Sequence, residues 1–218
     1  MEQHELQFQF KSRYFKLGKL DASTTQLWFV IHGYGQLAEF FIRKFKILED
    51  QNICVIAPEG LSHFYLEDVT SRAQTGNNRV GASWMTKENR LSDIENYLEY
   101  LNSIFEKEVG VNTSMRITIL GFSQGAATAS RWISAGKINF QRLILWAGIF
   151  PPDIDFNTTK GILKDKETYL VYGKSDPFIN DARIAEMETL ITQLGISPET
   201  KVFEGKHDID AQTLLTFL

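Results

Sequence analysis

Cysteine is the rarest residue in this 218-residue sequence, because Cys54 stands alone. One thiol cannot form an internal disulfide, and it cannot build a zinc site made of several cysteines. The sequence therefore predicts a protein of a reducing, cytoplasmic setting.

An excess of charge of one sign is also lacking. The chain has 23 lysines and arginines against 27 aspartates and glutamates, which gives a formal net charge of −4, and no run of like charge is present. A nucleic-acid partner bound through a basic patch is therefore not expected, and neither is a polybasic membrane anchor.

Long hydrophobic runs are missing as well. No stretch approaches the ~18 consecutive apolar residues of a transmembrane helix. The first residues, Met1 to Glu5, have neither the basic start nor the apolar run of a signal peptide. We therefore expect no stable membrane anchor. The oligomeric state is not predicted.

Apolar residues make up 43% of the chain, which is enough for the core of one domain over residues 1–218. Continuous apolar runs predict buried strands, listed in chain order as Gln26–Ile31, Ile53–Ala57, Arg116–Leu120, Leu143–Trp146 and Thr168–Tyr172, with a short last strand at Lys201–Phe203. Apolar spacing and end signals predict helices at Leu37–Asp50, Leu91–Val109, Ala126–Ala135, Ile179–Leu194 and Ala211–Leu218. This alternation predicts an α/β fold with a mostly parallel central sheet and helices on both faces.

Three segments fit this alternation less well. Residues 1–20 show polar and apolar alternation, at Glu5–Phe10 and less cleanly at Arg13–Leu17, which predicts leading edge strands. Leu61–Asn89 and Phe150–Lys166 read as long polar connections, and loops of that length are uncommon unless they are functional or disordered.

The strongest local motif is Gly121-Phe122-Ser123-Gln124-Gly125, between a predicted strand and a predicted helix. A serine on such a sharp turn needs small neighbours two residues away on each side, and the turn presents its hydroxyl at the positive end of the helix. Ser123 is therefore the candidate nucleophile. The alternative is an ordinary tight turn or a phosphate-cradling one. A phosphate-cradling turn would favour a Lys-Ser/Thr pair or a further glycine, and these are missing here.

A serine hydroxyl needs a histidine to accept its proton and an acid to orient that histidine. With a nucleophile on a strand-to-helix elbow, the chain order is serine, acid, histidine. The sequence has four histidines, and of these only His207 follows Ser123. His207 is therefore the candidate base.

Two aspartates remain candidates for the orienting acid. Asp176 follows the predicted strand Thr168–Tyr172 in the turn at its carboxyl end, where sites on parallel sheets are built. Asp208 adjoins His207 and is its main rival.

Two backbone N–H groups are needed to bind the oxyanion of a tetrahedral intermediate. One belongs to Gln124, the residue after the candidate nucleophile. The other is assigned to Tyr34 in the loop His32-Gly33-Tyr34-Gly35, where the glycines let the backbone turn its N–H groups inward. His32 is expected to hold this loop in shape.

Together, the His-Gly-x-Gly loop, the Gly-Phe-Ser-Gln-Gly elbow, the Gly-x-x-Asp turn and the late Gly-x-His resemble the phospholipase/carboxylesterase group of small α/β-hydrolases. That group includes acyl-protein thioesterases and lysophospholipases. The resemblance runs from Leu27 to the C-terminus and implies an α/β-hydrolase fold without a large lid domain. The residues around Ser83-Trp84 and Ala147–Pro151 are similar to the family's segments beside the active site.

The chain also departs from the family pattern. Gln36 stands where the family often has aspartate, Ala126 replaces a second glycine after the elbow, and Pro177-Phe178-Ile179 differs from the usual run after the acid. Asp208 after the histidine is a further departure. These changes leave the predicted catalytic residues in place and bear on the substrate.

The predicted activity is hydrolysis of a small-molecule ester or thioester through an acyl-enzyme, with no metal or organic cofactor. Apolar side chains near the predicted site favour short or medium acyl groups. The predicted substrate-binding residues are Trp84, Met85, Ile149, Phe150 and Phe178, with Phe64 and Tyr65 as further candidates. The alternative function is a ligand-binding or receptor-type protein that keeps a hydrolase fold with little turnover. A peptidase would usually need additional substrate-binding domains.

Overall fold

The computed structural model describes residues 1–49, 51–110 and 115–218. Its main sheet has seven strands in the order β1-β3-β2-β6-β7-β8-β9. The strands are β1 Tyr14–Leu17, β2 Gln26–Ile31, β3 Ile53–Pro58, β6 Arg116–Phe122, β7 Arg142–Trp146, β8 Glu167–Gly173 and β9 Glu199–Phe203. Only the β1–β3 pair is antiparallel among these described strands, so the predicted mostly parallel sheet is confirmed.

Helices cover both faces of this sheet. They are α1 Ala38–Phe41, α2 Val69–Thr75, α3 Arg90–Val109, α4 Gln124–Ser134, α5 Phe156–Leu163, α6 Asp181–Leu194 and α7 Ala211–Leu215, with a 3₁₀ helix at Ile42–Leu48. No helix in the described part of the chain is both long enough and apolar enough to cross a membrane.

The side chains of β2 show why its sequence is apolar from Leu27 to Ile31. Leu27, Phe29 and Ile31 enter a core that includes residues of α3 and α4. Trp28 and Val30 enter a second core, formed with the 3₁₀ helix and α7. Because successive side chains of a strand point to opposite faces, a strand with helices on both sides must be apolar at every position.

The two long connections contain regular structure that the sequence analysis did not predict. Residues 61–89 include α2 and an antiparallel hairpin of β4 (Ser62–Tyr65) and β5 (Val80–Ser83). Residues 150–166 include α5, which begins after Asp155, whose carboxylate accepts hydrogen bonds from two N–H groups of the first turn.

Two predictions near the N-terminus need correction. Glu5–Phe10 forms no strand, and Leu6, Phe8 and Phe10 are exposed. Alternation stabilises a strand only where a neighbour pairs with it and one face is covered, and β1 pairs with β3 instead. The predicted helix from Leu37 is two short pieces, α1 and the 3₁₀ helix, and its predicted end at Asp50 lies outside the described residues.

Candidate active site

Ser123 lies on a strained turn between β6 and α4, with φ 54° and ψ −117°. Non-glycine residues rarely adopt this region, and such strain costs on the order of 1–3 kcal/mol. The Ser123 N–H donates to the carbonyl of Trp146 over 2.8 Å, and this hydrogen bond attaches the turn to the end of β7. A Cβ atom added at Gly125 would lie 2.1 Å from the carbonyl oxygen of Ile31, so α4 can start this close to β2 only with glycine there. The Ser123 side chain is thereby placed at the carboxyl edge of the sheet.

Asp176 and His207 are in direct contact. His207 Nδ1 lies 2.8 Å from Oδ2 of Asp176, whose side chain is fully buried. The other carboxylate oxygen accepts a hydrogen bond from the Phe178 N–H over 2.9 Å. Both oxygens of Asp176 are therefore occupied, and the carboxylate is held in one orientation toward the imidazole.

Backbone pairing brings these two residues together although 31 positions separate them in sequence. β8 and β9 run parallel, and their pairing continues into the loops beyond them. The Lys174 N–H donates to the carbonyl of Phe203, and the Ser175 N–H donates to that of Gly205, each over 2.9 Å. The turn carrying Asp176 and the loop carrying His207 thus leave the sheet side by side.

The imidazole of His207 lies beside the serine turn. Its ring packs on Phe122, the residue before Ser123, with ring centroids 4.9 Å apart. On another side it packs against Phe178 in an edge-to-face arrangement, with centroids 4.7 Å apart. The side chain of His207 keeps 21% of its surface exposed, so its ring remains accessible to solvent.

Asp208, the rival acid, has different partners. Its carboxylate pairs with Lys44 at 2.6 Å, and its backbone carbonyl accepts a hydrogen bond from the Trp146 indole over 2.9 Å. Of the two candidate acids, it is Asp176 that contacts the His207 ring through its carboxylate. Asp208 ties the His207 loop to the 3₁₀ helix.

The loop after β2 lies against Ser123. A Cβ atom added at Gly33 would lie 3.1 Å from the Cβ atom of Ser123. The Gly33 N–H donates to the side chain of Gln36 over 2.8 Å, and the Gly35 N–H donates to the carbonyl of Ala82 over 2.9 Å. Within the described residues, the intervening N–H of Tyr34 has no acceptor, and neither has the N–H of Gln124. That these two groups bind an oxyanion stays a prediction.

His32 supports this loop, as the sequence analysis predicted. The Gly60 N–H donates to its Nε2 over 2.9 Å, so the ring proton sits on Nδ1, which is 2.7 Å from the carbonyl oxygen of Gly33. Burial lowers the pKa of His32 to about 4. His32 is therefore a neutral structural residue at ordinary pH.

The side chain of Gln124 has a structural function that sequence reasoning missed. Its Nε2 donates to the carbonyl of Met85 over 2.9 Å, and its Oε1 accepts from the Trp84 N–H over 3.2 Å. The segment after β5 is therefore fastened to the first residue of α4. The resemblance of Ser83-Trp84 to a family segment was the only sequence signal for this contact.

The predicted substrate-binding residues divide into two groups. Trp84, Ile149 and Phe150 have at most 3% of their surface exposed and belong to the core. These three side chains contribute to core packing, and their contact with a substrate stays a prediction. Met85 is partly buried, and Phe178 is 64% exposed beside His207. Only these two of the five offer apolar surface.

An apolar groove that the sequence did not reveal lies beside Gly35 and Gln36. Its volume is about 510 Å³, and its lining includes Leu37, Phe40, Leu66 and Val80. The ring of Tyr34 is exposed near it and packs on Phe64, with centroids 5.0 Å apart. Tyr65 is half exposed and lies under the guanidinium of Arg72.

Cys54 is a poor candidate for a nucleophile. Cys54 is buried in β3, and this burial raises the pKa of its thiol to about 11, so the nucleophilic thiolate is scarce at neutral pH. Among the described residues, no group of three or more histidine, cysteine, aspartate or glutamate side chains is arranged to hold a metal ion.

Comparison with known sequences shows which family this chain belongs to. The phospholipase/carboxylesterase family matches residues 19–217, which is nearly the whole chain. The chain belongs to this family. Phospholipases and carboxylesterases are ester hydrolases. The matched range includes Ser123, Asp176 and His207. No sequence among curated proteins matches this chain.

Solved structures show the same fold in other members of the α/β-hydrolases. Acyl-protein thioesterase 2 of Zea mays is 15% identical, with a TM-score of 0.68 and coverage of 95% of this chain and 96% of that one. A phospholipase/carboxylesterase of Dyadobacter fermentans is 18% identical, with a TM-score of 0.65 and 96% coverage of both chains. A Bacillus cereus carboxylesterase is 15% identical, with a TM-score of 0.63 and coverage of 94% and 91%. The predicted α/β-hydrolase fold is confirmed.

Proposed function

We propose that this protein is a serine hydrolase that cleaves carboxylic esters or thioesters of short-to-medium acyl groups through an acyl-enzyme. The observation that carries the proposal is the contact of His207 with the buried Asp176 beside the strained turn of Ser123. Family membership supports the same reaction class.

In the proposed reaction, Oγ of Ser123 attacks the carbonyl carbon while Nε2 of His207 accepts its proton. Asp176 holds the imidazole in the required orientation and stabilises the imidazolium. The N–H groups of Tyr34 and Gln124 bind the oxyanion of the tetrahedral intermediate. His207 then protonates the departing alcohol or thiol as the bond from its oxygen or sulfur to the acyl carbon breaks.

Water completes the proposed cycle. His207 takes a proton from the water, the resulting hydroxide attacks the acyl carbon, and the proton returns to Oγ of Ser123 as the carboxylic acid leaves. Nothing is oxidised or reduced, so these steps require only the substrate and water.

The preference for short or medium acyl groups rests on apolar surface near Ser123. The exposed ring of Phe178, which packs on His207, supplies such surface, and Met85 is the second side chain proposed to do so. Apolar side chains disfavour a charged acyl group. A chain-length series of aryl esters tests this part of the proposal. We expect the value of kcat/KM to pass through a maximum, whereas a flat profile rejects a shaped acyl site.

The nucleophile is tested with a fluorophosphonate probe followed by peptide mass spectrometry. We expect the label on Ser123, and we expect Ser123→Ala to remove it and to reduce ester hydrolysis by several orders of magnitude. Ser103→Ala changes an exposed serine of α3 and is the matched control, which should keep both label and activity. A folded wild-type protein that stays unlabelled contradicts the proposal and favours a ligand-binding protein with little turnover.

The leaving group is addressed with a panel of esters, thioesters and lysolipids assayed under the same conditions.

We further propose that residues 1–218 form one hydrolase domain and that the protein works in the cytoplasm. The single thiol of Cys54, which needs no oxidising compartment, supports that location.

A further inference from the structure

Glu59 is a buried carboxylate that the proposed reaction does not use. It follows β3, and its side chain has no exposed surface. An ionised carboxylate loses its hydration on burial, and this cost must be offset by hydrogen bonds and opposite charge. The partners that bind Glu59 therefore show what the residue holds in place.

Three donors from different parts of the chain converge on the two oxygens of Glu59. Oε2 accepts from the N–H of Ala38 over 3.0 Å. Oε1 lies 2.6 Å from Nε of Arg13 and 2.9 Å from Nε2 of His63. Burial raises the pKa of Glu59, but the hydrogen bonds from His63, Arg13 and Ala38 lower it further, so the carboxyl is ionised at neutral pH.

Glu59 and its neighbour Gly60 bind both ends of the loop that carries Tyr34. Gly60 donates its N–H to Nε2 of His32, the residue that opens this loop. Glu59 accepts the N–H of Ala38, the residue that follows the loop and begins α1. Glu59 and Gly60, the two residues directly after β3, thus hold residues 32–38 at both ends.

The contact with His63 also links Glu59 to the middle of the loop, through the β4–β5 hairpin. His63 lies on β4, which pairs with β5. Ala82 of β5 accepts the N–H of Gly35 over 2.9 Å and donates to the carbonyl of Gln36 over 3.2 Å. The carboxylate of Glu59 is therefore connected to the loop both directly and through this hairpin.

We propose that Glu59 is a positioning residue that holds the loop of residues 32–38 so that the Tyr34 N–H points at the developing oxyanion. The inference rests on the proposed function, because it assigns Tyr34 to that oxyanion. A donor displaced by about 1 Å loses much of its stabilisation of the transition state, whereas ground-state binding of the substrate depends on it far less.

The test compares Glu59→Ala, which removes the acceptor, with Glu59→Gln, which keeps an oxygen for the Ala38 N–H. Glu108→Ala is the matched control. Its side chain is 7% exposed and pairs with Lys16, and it lies in the last turn of α3. Folding of each variant is measured by circular dichroism and urea unfolding, and Glu59→Gln supplies the result if Glu59→Ala does not fold.

Amide hydrogen exchange is the measurement that does not depend on activity. We expect Glu59→Ala to speed exchange in residues 32–38 by at least tenfold while exchange in α6 stays as in the wild type. We expect Glu59→Gln to show a smaller change in the same segment, and Glu108→Ala to show none there. Unchanged exchange in residues 32–38 of the folded Glu59 variants overturns the proposal.

Kinetics supply the second measurement. We expect Glu59→Ala to lower kcat by about 10- to 100-fold with KM within about threefold. A boronic acid, which forms a tetrahedral adduct with the serine, should lose affinity by the same factor as kcat/KM. Glu59→Gln should recover most of both, and Glu108→Ala should change neither. A fall in kcat without a parallel loss of boronate affinity overturns the positioning role.

The two proposals fail in different ways. If wild-type protein neither carries the fluorophosphonate label nor binds the boronate, the proposed serine hydrolase is wrong, and the exchange result then stands as a test of loop fastening alone. If the wild type reacts normally and the Glu59 variants behave like Glu108→Ala, only the inference about Glu59 is wrong.

Discussion

Nδ1 of His207 lies 2.8 Å from the carboxylate of Asp176, while the carboxylate of the adjacent Asp208 pairs with Lys44. Substitution of these two aspartates is therefore expected to affect kcat very differently. Asp176→Asn should lower kcat by about 10³- to 10⁴-fold, because the amide no longer stabilises the imidazolium or selects the required tautomer.

Asp208→Asn is the matched control for this measurement. It should leave kcat within about threefold of the wild type, since it weakens a partly exposed ion pair. Steady-state kinetics on an aryl ester measure both variants. A larger loss in Asp208→Asn than in Asp176→Asn would assign the orienting acid to Asp208.

Burial of His32 predicts a specific dependence of stability on pH. The pKa of His32 is about 4 in the folded protein and returns to its ordinary value of 6.5 on unfolding. Above pH 6.5 both states are neutral, and the full stability is present. As the pH falls from 6.5 to 4, the unfolded state takes up a proton that the folded state refuses, and about 3 kcal/mol of unfolding free energy is lost.

Urea unfolding at a series of pH values measures this effect. His32→Gln should remove this component of the pH dependence at some cost in stability at pH 7. His63→Gln, which changes a partly exposed histidine, should retain it. A wild-type curve that is flat between pH 6.5 and 4.5 would show that burial of His32 does not control this range.

Gly125 is predicted to be the least replaceable glycine of the serine turn. Gly125→Ala places a methyl group 2.1 Å from the backbone of Ile31, which cannot move without displacing β2. We expect unfolding free energy to fall by at least about 3 kcal/mol. Gly161→Ala has open space around it in α5 and should instead gain about 0.5–1 kcal/mol. Urea unfolding of both variants checks the pair, and equal effects would contradict the close approach at Gly125.

Phe178 is predicted to contribute to recognition of the acyl group, because its exposed ring packs beside His207. Phe178→Ala should lower kcat/KM for butyrate and hexanoate esters by about fivefold, which corresponds to roughly 1 kcal/mol of lost apolar contact. Acetate esters should be affected less. Leu91→Ala removes an equally exposed apolar side chain on α3 and should leave the chain-length profile unchanged. A uniform loss over all chain lengths would indicate that Phe178 acts on the imidazole alone.

The N-terminal segment shows where local patterns fail. Glu5–Phe10 alternates as clearly as a paired strand, yet it forms none, because the partner and the covering face of a strand come from elsewhere in the chain. The prediction for residues 61–89 was wrong in the opposite direction, because a loop was expected where the structure has a hairpin and a helix. Its hairpin is built from two strands of four residues each, which are too short to show a continuous apolar run.

The sequence by itself determined the features that depend on neighbours along the chain. The apolar run of β2 required a strand covered on both faces, the two glycines around Ser123 specified the sharp turn, and the small number of histidines made His207 the candidate base. The strand and the turn are readable from the sequence because backbone sterics and side-chain period act over a few residues.

Only the tertiary structure decided the features that depend on distant partners. It placed Asp176 against His207 through the pairing of β8 with β9, buried Trp84 in the core, and brought three donors onto Glu59. A carboxylate or an aromatic ring has the same local sequence signal in a loop, a site or a core. Its chemistry is set by which groups the folded chain packs around it, since burial and hydrogen bonding are properties of that packing.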